Sequence, residues 1–340
     1  MIAALKERRL GEAGPAVGAL GIGTWAIGGP FASGAGCRYP TGAPLGYGRV
    51  DDAESIRALH CAVELGARLF DTADAYGTGH AERVLGRALK GRRERVLIAT
   101  KFGNTFDEET KELTGTDVSP AYIRWACQAS LKRLRSEWID LYQLHVGDLP
   151  IDQADAVADA LDGLCDEGLI RSYAWSTDHP ERAAAFARRP SAVAVQFDMN
   201  VFEDAPAMLE VCDNHRLAGI VRQPLAMGFL SGKFASTARL PEDDIRSRPP
   251  AWLRYFEAGG HPAPEWTERL NDIREILKSG GRTLAQGALA WIWARSDLTI
   301  PIPGVRTAAQ VRENLGAIEF GPLEPGQMSE IETLAGRRPT

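Results

Sequence analysis

Cysteine is scarce and scattered in this 340-residue sequence: Cys37, Cys61, Cys127, Cys165 and Cys212 are odd in number and form no CxxC pair. That spacing argues against a disulfide framework or a zinc site, and reduced thiols in a soluble, cytoplasmic protein are the expectation. Also missing is any apolar run long enough to cross a bilayer. The opening Met1-Ile2-Ala3-Ala4-Leu5-Lys6-Glu7-Arg8-Arg9 lacks the apolar stretch of a signal peptide. Basic charge is not in excess either. A formal net charge of −6 and a pI near 5.6 argue against an electrostatic grip on nucleic acid or anionic lipid, while allowing a local basic pocket. Low-complexity tracts and repeats of solenoid length are absent as well.

What is present is ample core material, 44% hydrophobic against 25% charged residues, arranged in a regular alternation. Arg8 to Val17 holds turn residues between two short extended pieces and reads as a hairpin. Short apolar, strand-like runs follow at 20–23, 67–71, 96–101, 139–144, 172–176, 194–197, 219–222 and 298–302. Helical periodicity occupies the spaces between, at 81–89, 121–134, 154–167, 180–187, 205–214 and 284–294, with a further helix at 307–317. An earlier helix begins at the Asp-rich start near Asp51. Eight short apolar strands alternating with helices predict an α/β fold, a (β/α)8 TIM barrel, over residues 1–340 as a single domain. Two stretches break the pattern. Residues 28–50 form a long Gly- and Pro-rich loop, and residues 232–281 form a Pro-rich, aromatic insertion ending in a helix at 270–277. Such a loop is functional or disordered, and the insertion either covers the barrel mouth or forms its own small core.

The chemistry centres on Phe70-Asp71-Thr72-Ala73-Asp74-Ala75-Tyr76-Gly77. A carboxylate at a strand end can fix a lysine, and a lysine ammonium favours the ionised phenol, drawing a tyrosine pKa toward the working range. The lysine follows in Ile98-Ala99-Thr100-Lys101-Phe102-Gly103, and a polar partner in Asp140-Leu141-Tyr142-Gln143-Leu144-His145. Taken singly, such an Asp is more often a helix cap, such a Lys a solvated charge, such a His a core residue and such a Tyr packing. A loose dinucleotide fingerprint at Gly21, Gly23 and Ala26 is discounted, because a loop rather than a helix follows it.

From Arg9 to Gly321 the sequence resembles the aldo-keto reductase family: Asp71, Tyr76, Lys101 and His145 match that family's catalytic tetrad in order and context. The resemblance implies NADP(H)-dependent reduction of an aldehyde or ketone, with a sugar-type carbonyl included, or the reverse reaction. Tyr76 would be the proton donor, Lys101 and Asp71 its supports, and His145, with a neutral ring, would orient the carbonyl; no metal is needed. It further implies cofactor contacts from Gly23, Thr24, Trp25 and Asp71 and a nicotinamide carboxamide site at Ser176 and Gln196. The pyrophosphate loop would lie at Gln223, Pro224, Leu225, Gly228 and Lys233, and the adenosine end at Gly304, Arg306, Gln310 and Asn314, with Arg306 suited to a 2′-phosphate. Substrate would meet Trp25, Tyr76 and His145, with Tyr47, Phe102 and Phe106 as further candidates. Two residues depart from the family pattern: Thr177 stands where Asn is common, and Arg222 stands where many members stack an aromatic ring on the nicotinamide. The partner is a small-molecule carbonyl or alcohol, specificity falls to residues 28–50, 102–116 and the insertion, and monomer is the family default. The alternative is a cofactor-binding regulatory or redox-sensing protein with little turnover.

Overall fold

Local capping signals set the helices in place. In the computed structural model, which describes residues 8–12, 14–234 and 239–336, helix α1 (Asp52–Glu64) starts where the Asp51 carboxylate accepts the Ala53 and Glu54 backbone N–H groups. Helix α2 (His80–Ala88) follows the Tyr76 turn. Helix α3 (Pro120–Leu134) combines a Ser119 cap with Pro at its first turn and stops at Arg135 in the left-handed region. Then come α4 (Ala154–Asp166), α5 (Pro180–Phe186), α6 (Pro206–His215) and α7 (Pro264–Leu277). Thr283 with Gln286, and Thr307 with Gln310, form capping boxes that open α8 (Leu284–Arg295) and α9 (Ala308–Gly316); α10 (Pro325–Leu334) closes the described chain. None of these helices is long and apolar enough to cross a membrane.

Eight parallel strands form one sheet in strict chain order: Ile22–Gly23, Leu69–Asp71, Leu97–Phe102, Leu141–Leu144, Tyr173–Ser176, Ala192–Asp198, Ala218–Arg222 and Thr299–Pro301. Hydrogen bonds from Gly21 N–H to Pro301 O (2.9 Å) and from Gly23 N–H to Pro303 O (3.0 Å) join the first strand to the eighth and close the barrel. Gly23 serves this seam directly, since a Cβ there would lie 2.7 Å from Ile302 O.

The barrel interior is filled by Leu69, Ala99, Leu141, Ala174, Ala194, Ala218, Ile220 and Ile300, with Leu10 and Val17 of the N-terminal hairpin (Arg8–Arg9 paired with Ala16–Val17) packed against them. The hairpin thus plugs one end of the barrel. A larger apolar layer separates strands from helices. Within it a buried polar tie holds α2 and α3 to the third strand: Glu82, fully buried, accepts Thr100 Oγ1 (2.6 Å) and Arg133 Nε (2.6 Å). Residues 1–7, read above for a signal peptide, lie outside the described residues, as does the segment 235–238 of the insertion.

Two expectations change. The stretches 28–50 and 102–116 are not structureless: Ala32–Ser33 pairs parallel with Glu112–Leu113 of the strand Glu112–Thr116, which turns back on Asn104–Asp107. The insertion takes both roles offered for it. Ile245, Arg246 and Trp252 line the cavity described below, while Tyr255, Phe256 and Trp266 pack with Phe202 and Phe229 in an aromatic cluster.

Candidate functional site

Strand ends bring the four candidate side chains together at the C-terminal mouth. Asp71 is the last residue of the second strand, Lys101 lies one residue from the end of the third, His145 follows the fourth, and Tyr76 sits on the turn before α2. Lys101 is fully buried, and its Nζ donates to Asp71 Oδ1 (2.5 Å), Thr72 O (2.8 Å) and the Tyr76 hydroxyl (3.3 Å). All three ammonium donors are therefore placed, one of them on the phenol. The other carboxylate oxygen, Asp71 Oδ2, accepts Gln143 Nε2 (3.0 Å) and Gln196 Nε2 (2.8 Å), so the buried pair carries the added hydrogen bonds that such a pair needs.

Tyr76 is clamped between rings. Trp25 stacks on it at 5.7 Å between centroids and 13° between planes, and His145 meets it edge to face at 5.9 Å. Burial pushes the Tyr76 phenol above its ordinary pKa and Lys101 pulls it down; the net direction is up, leaving the hydroxyl protonated at neutral pH. The lysine acts in the direction expected from sequence, but burial outweighs it. For Lys101, burial works against the charge, yet Asp71 keeps its pKa above the ordinary value. Burial first, then Lys101 and Arg222, hold His145 well below its usual range, so the imidazole is neutral and its Nδ1 is buried without a partner among the described residues.

These residues open onto a cavity of about 890 Å³. It is lined by Gly23, Thr24, Trp25, Asp71, Tyr76, His145, Ser176, Gln196, Arg222, Gln223, Pro224, Leu225, Gly228, Lys233, Gly304, Arg306 and Gln310, with Lys101 behind the wall. Asn314 is the exception: it is buried in α9 and does not line the cavity. Of the weaker candidates, Tyr47 lines the cavity and packs on Trp25. Phe102 is instead buried against Tyr142, and Phe106 lies beneath the Arg133 guanidinium.

The arrangement suits a dinucleotide. Gln223, Ala226 and Met227 all hold positive φ (53°, 46° and 56°), ahead of Gly228 at 89°. Left-handed backbone costs a non-glycine residue about 1–2 kcal/mol, and strain concentrated on a cavity-lining loop marks a place where backbone is shaped for contact. Lys233, Arg246 and Arg306 line the same end, supplying positive charge in a chain that is acidic overall. The Arg306 side chain donates to Tyr47 O (3.2 Å) and to Arg49 O, while Gln310 Oε1 accepts the Arg306 N–H (2.8 Å). Arg306 therefore pins the 28–50 loop as well as facing the cavity.

Arg222 is held between carboxylates, Asp198 at 3.1 Å and Asp178, and Asp198 also accepts Gln223 Nε2 (3.0 Å). Burial pushes the Asp198 carboxyl up to about 7, with Arg222 opposing and Asp178 reinforcing. Sequence reading passed over Asp198, Arg246 and Gln143. Gln143 was discernible: Leu141, Gln143 and His145 share the inward face of one strand, where an uncharged amide in an apolar run calls for a buried partner.

The family model described as Aldo/keto reductase family matches residues 19–335. A Schizosaccharomyces pombe protein named as an NADP(+) aldo-keto reductase, yakc, is 32% identical over 282 residues, 80% of each chain. The uncharacterized oxidoreductase YqkF of Bacillus subtilis is 29% identical, covering 97% of this chain and 96% of that one. Among solved structures, the glycerol dehydrogenase of Gluconobacter oxydans superposes with a TM-score of 0.77 at 26% identity over 98% of this chain and 96% of that one. A holo-form aldo-keto reductase of Bacillus halodurans gives 0.73 at 28% identity over 97% and 96%.

Proposed function

The chain belongs to the aldo/keto reductase family, and we propose that it is an NADP(H)-dependent enzyme reducing an aldehyde or ketone to an alcohol, with Tyr76 as proton donor. The observation that carries this reading is the bond from Lys101 Nζ to the Tyr76 hydroxyl at the floor of the cavity, backed by the Asp71 carboxylate.

When bound, the nicotinamide cofactor would supply the hydride. Ser176 and Gln196 would hold its carboxamide, the loop from Gln223 to Lys233, strained at Met227, its pyrophosphate, and Arg306 its 2′-phosphate. His145, neutral, offers a hydrogen bond to the carbonyl oxygen and polarises it toward the incoming hydride. As negative charge gathers on that oxygen, the Tyr76 O–H bond breaks and a new O–H bond forms, giving the alcohol and a phenolate. Lys101 stabilises the phenolate at no cost of reorganisation, because its donor already points at that oxygen. In the reverse direction the same phenolate accepts the alcohol proton. Trp25 and Tyr47 give the substrate an aromatic wall beside the reacting centre.

The test is NADPH consumption against a panel of aromatic aldehydes, simple sugars and diketones, with Tyr76→Phe as the paired control. Turnover in the native protein that falls roughly 10²–10⁴-fold in Tyr76→Phe, with cofactor binding kept, is the expected result. Tight NADPH binding without turnover of any compound in either protein would favour a cofactor-sensing role.

A further inference from the structure

Gln143 takes part in no step described above, yet it sits where the two halves of the site meet. It is fully buried on the fourth strand, behind the cavity wall rather than on it. Its Nε2 donates to Asp71 Oδ2 (3.0 Å) and its Oε1 accepts Gln196 Nε2 (3.1 Å), while Gln196 Nε2 donates to Asp71 Oδ2 as well (2.8 Å).

The order of these bonds follows from charge. An ionised carboxylate only accepts, so Asp71 obliges Gln143 to turn its NH₂ inward. That leaves the Gln143 carbonyl oxygen facing Gln196, which obliges Gln196 in turn to present its NH₂. Both N–H bonds of Gln196 are then spent inside the protein, one on Asp71 and one on Gln143. What remains free on Gln196 is its carbonyl oxygen, an acceptor on the cavity wall.

The geometry points to Gln143 as a positioning residue that couples the Asp71–Lys101 pair to cofactor recognition: it locks Gln196 with its oxygen outward, so that the site selects a ligand carrying an amide N–H donor. This rests on the reading of Ser176 and Gln196 as the nicotinamide carboxamide site. It makes the carboxamide NH₂ the feature recognised, and it makes the same hydrogen-bonded triangle set how firmly Asp71 holds Lys101 against Tyr76.

The test compares binding of NADP⁺ with that of its 3-acetylpyridine analogue, which keeps the ring and the carbonyl but lacks the NH₂. Quenching of tryptophan fluorescence reads each Kd in the native protein, in Gln143→Met, which keeps the length of the side chain without its amide, and in Gln143→Glu. Expected is a native preference for NADP⁺ that shrinks by about three- to tenfold in Gln143→Met, while the Kd of the analogue stays within about twofold. In Gln143→Glu the preference returns as pH is lowered, because a protonated carboxyl can again donate to Asp71 and accept from Gln196. A pH profile of carbonyl reduction adds a second readout. Loss of a donor makes Asp71 a stronger base toward Lys101, so the alkaline limb set by Tyr76 moves upward in Gln143→Met. If both ligands weaken alike in Gln143→Met, or the native protein shows no preference between them, Gln143 has only a packing role and the proposal falls. A native protein that binds neither ligand removes the cofactor reading itself, and the proposal with it. If Gln143→Met does not fold, the pH-dependent preference of Gln143→Glu decides alone: no change with pH overturns the proposal.

Discussion

Lys101 and Asp71 are 0% and 3% exposed at their side chains, so the ion pair bonded to the Tyr76 hydroxyl has been taken wholly out of water. Desolvation offsets much of the attraction in such a pair, and breaking it from one side is the expensive change. Asp71→Asn should therefore lower stability by about 3–5 kcal/mol in urea unfolding, because Lys101 keeps its charge and loses its partner. The double replacement Asp71→Leu with Lys101→Met should recover part of that loss while remaining inactive; equal loss in single and double variants would contradict the account. Asp198 makes a different prediction. Its folded-state pKa is raised from 3.8 to about 7, so the stability it contributes is complete below its unfolded value and is lost as pH rises through about 7. Urea midpoints should fall between pH 5 and pH 8 in the native protein and fall less in Asp198→Asn. At this scale the sequence was informative where a residue's role is local in the barrel, as with Asp71, Lys101 and His145 at strand ends. It was silent on Asp198, whose partners Arg222 and Gln223 lie at the end of another strand and leave no spacing to read, and on Arg246, whose bond to Asp244 is local but whose contacts with Met227 and Tyr47 are not.

Among the elements, those with their own periodicity were legible, and those that depend on distant pairing were not. The eight barrel strands and most of helices α1 to α9 lie close to where alternation and helical spacing put them, while α7 starts at Pro264, well before the run 270–277 read from spacing. The strand Ala32–Ser33 is two residues long and pairs across some 80 positions with Glu112–Leu113, so no window of sequence contains its reason to exist. The hairpin it joins turns through Lys111 at φ 62°, with Asp107 accepting the Glu109 and Thr110 N–H groups, in a polar stretch without a Gly-containing turn dipeptide. Helix α10 (Pro325–Leu334) buries little beyond Ile331 and Glu332, too few positions to show a helical period. One buried side chain of the insertion reaches both the cavity loop and residues 28–50. Arg246 bonds Asp244 (2.6 and 2.9 Å) and Met227 O (3.2 Å) and lies over Tyr47 at 4.8 Å and Phe234 at 5.2 Å. Arg246→Met should leave Asp244, 2% exposed, as an unpaired buried charge. The expected consequence is faster hydrogen exchange across residues 239–260 and around Tyr47, with α1 to α4 unchanged. Exchange that rises uniformly over the chain would assign Arg246 to global stability instead.

Considered as a whole, the molecule closes one end of its barrel with a hairpin and assembles the other from segments that are far apart in sequence. Residues 28–50 are tied to the insertion through Ile245 N–H to Gly46 O (2.7 Å) and Trp252 Nε1 to the Tyr39 hydroxyl (3.2 Å), and to the loop before α9 through Arg306. A ligand filling this cavity contacts all three segments, so its binding energy appears as stability of the entire fold. At a hundred times its Kd a ligand that binds only the folded state adds about 2.7 kcal/mol, and thermal unfolding should rise accordingly. NADPH should raise Tm more than NADH at equal concentration if, as proposed, the Arg306 guanidinium on the cavity wall meets the 2′-phosphate. Arg306→Ala separates the two duties of that side chain. If it reads the phosphate, the NADPH increment shrinks toward the NADH increment. If it serves only to pin Tyr47 and Arg49, the Tm of the free protein drops and both increments fall by the same amount, which would remove Arg306 from cofactor selection and leave it as a clasp on the loop.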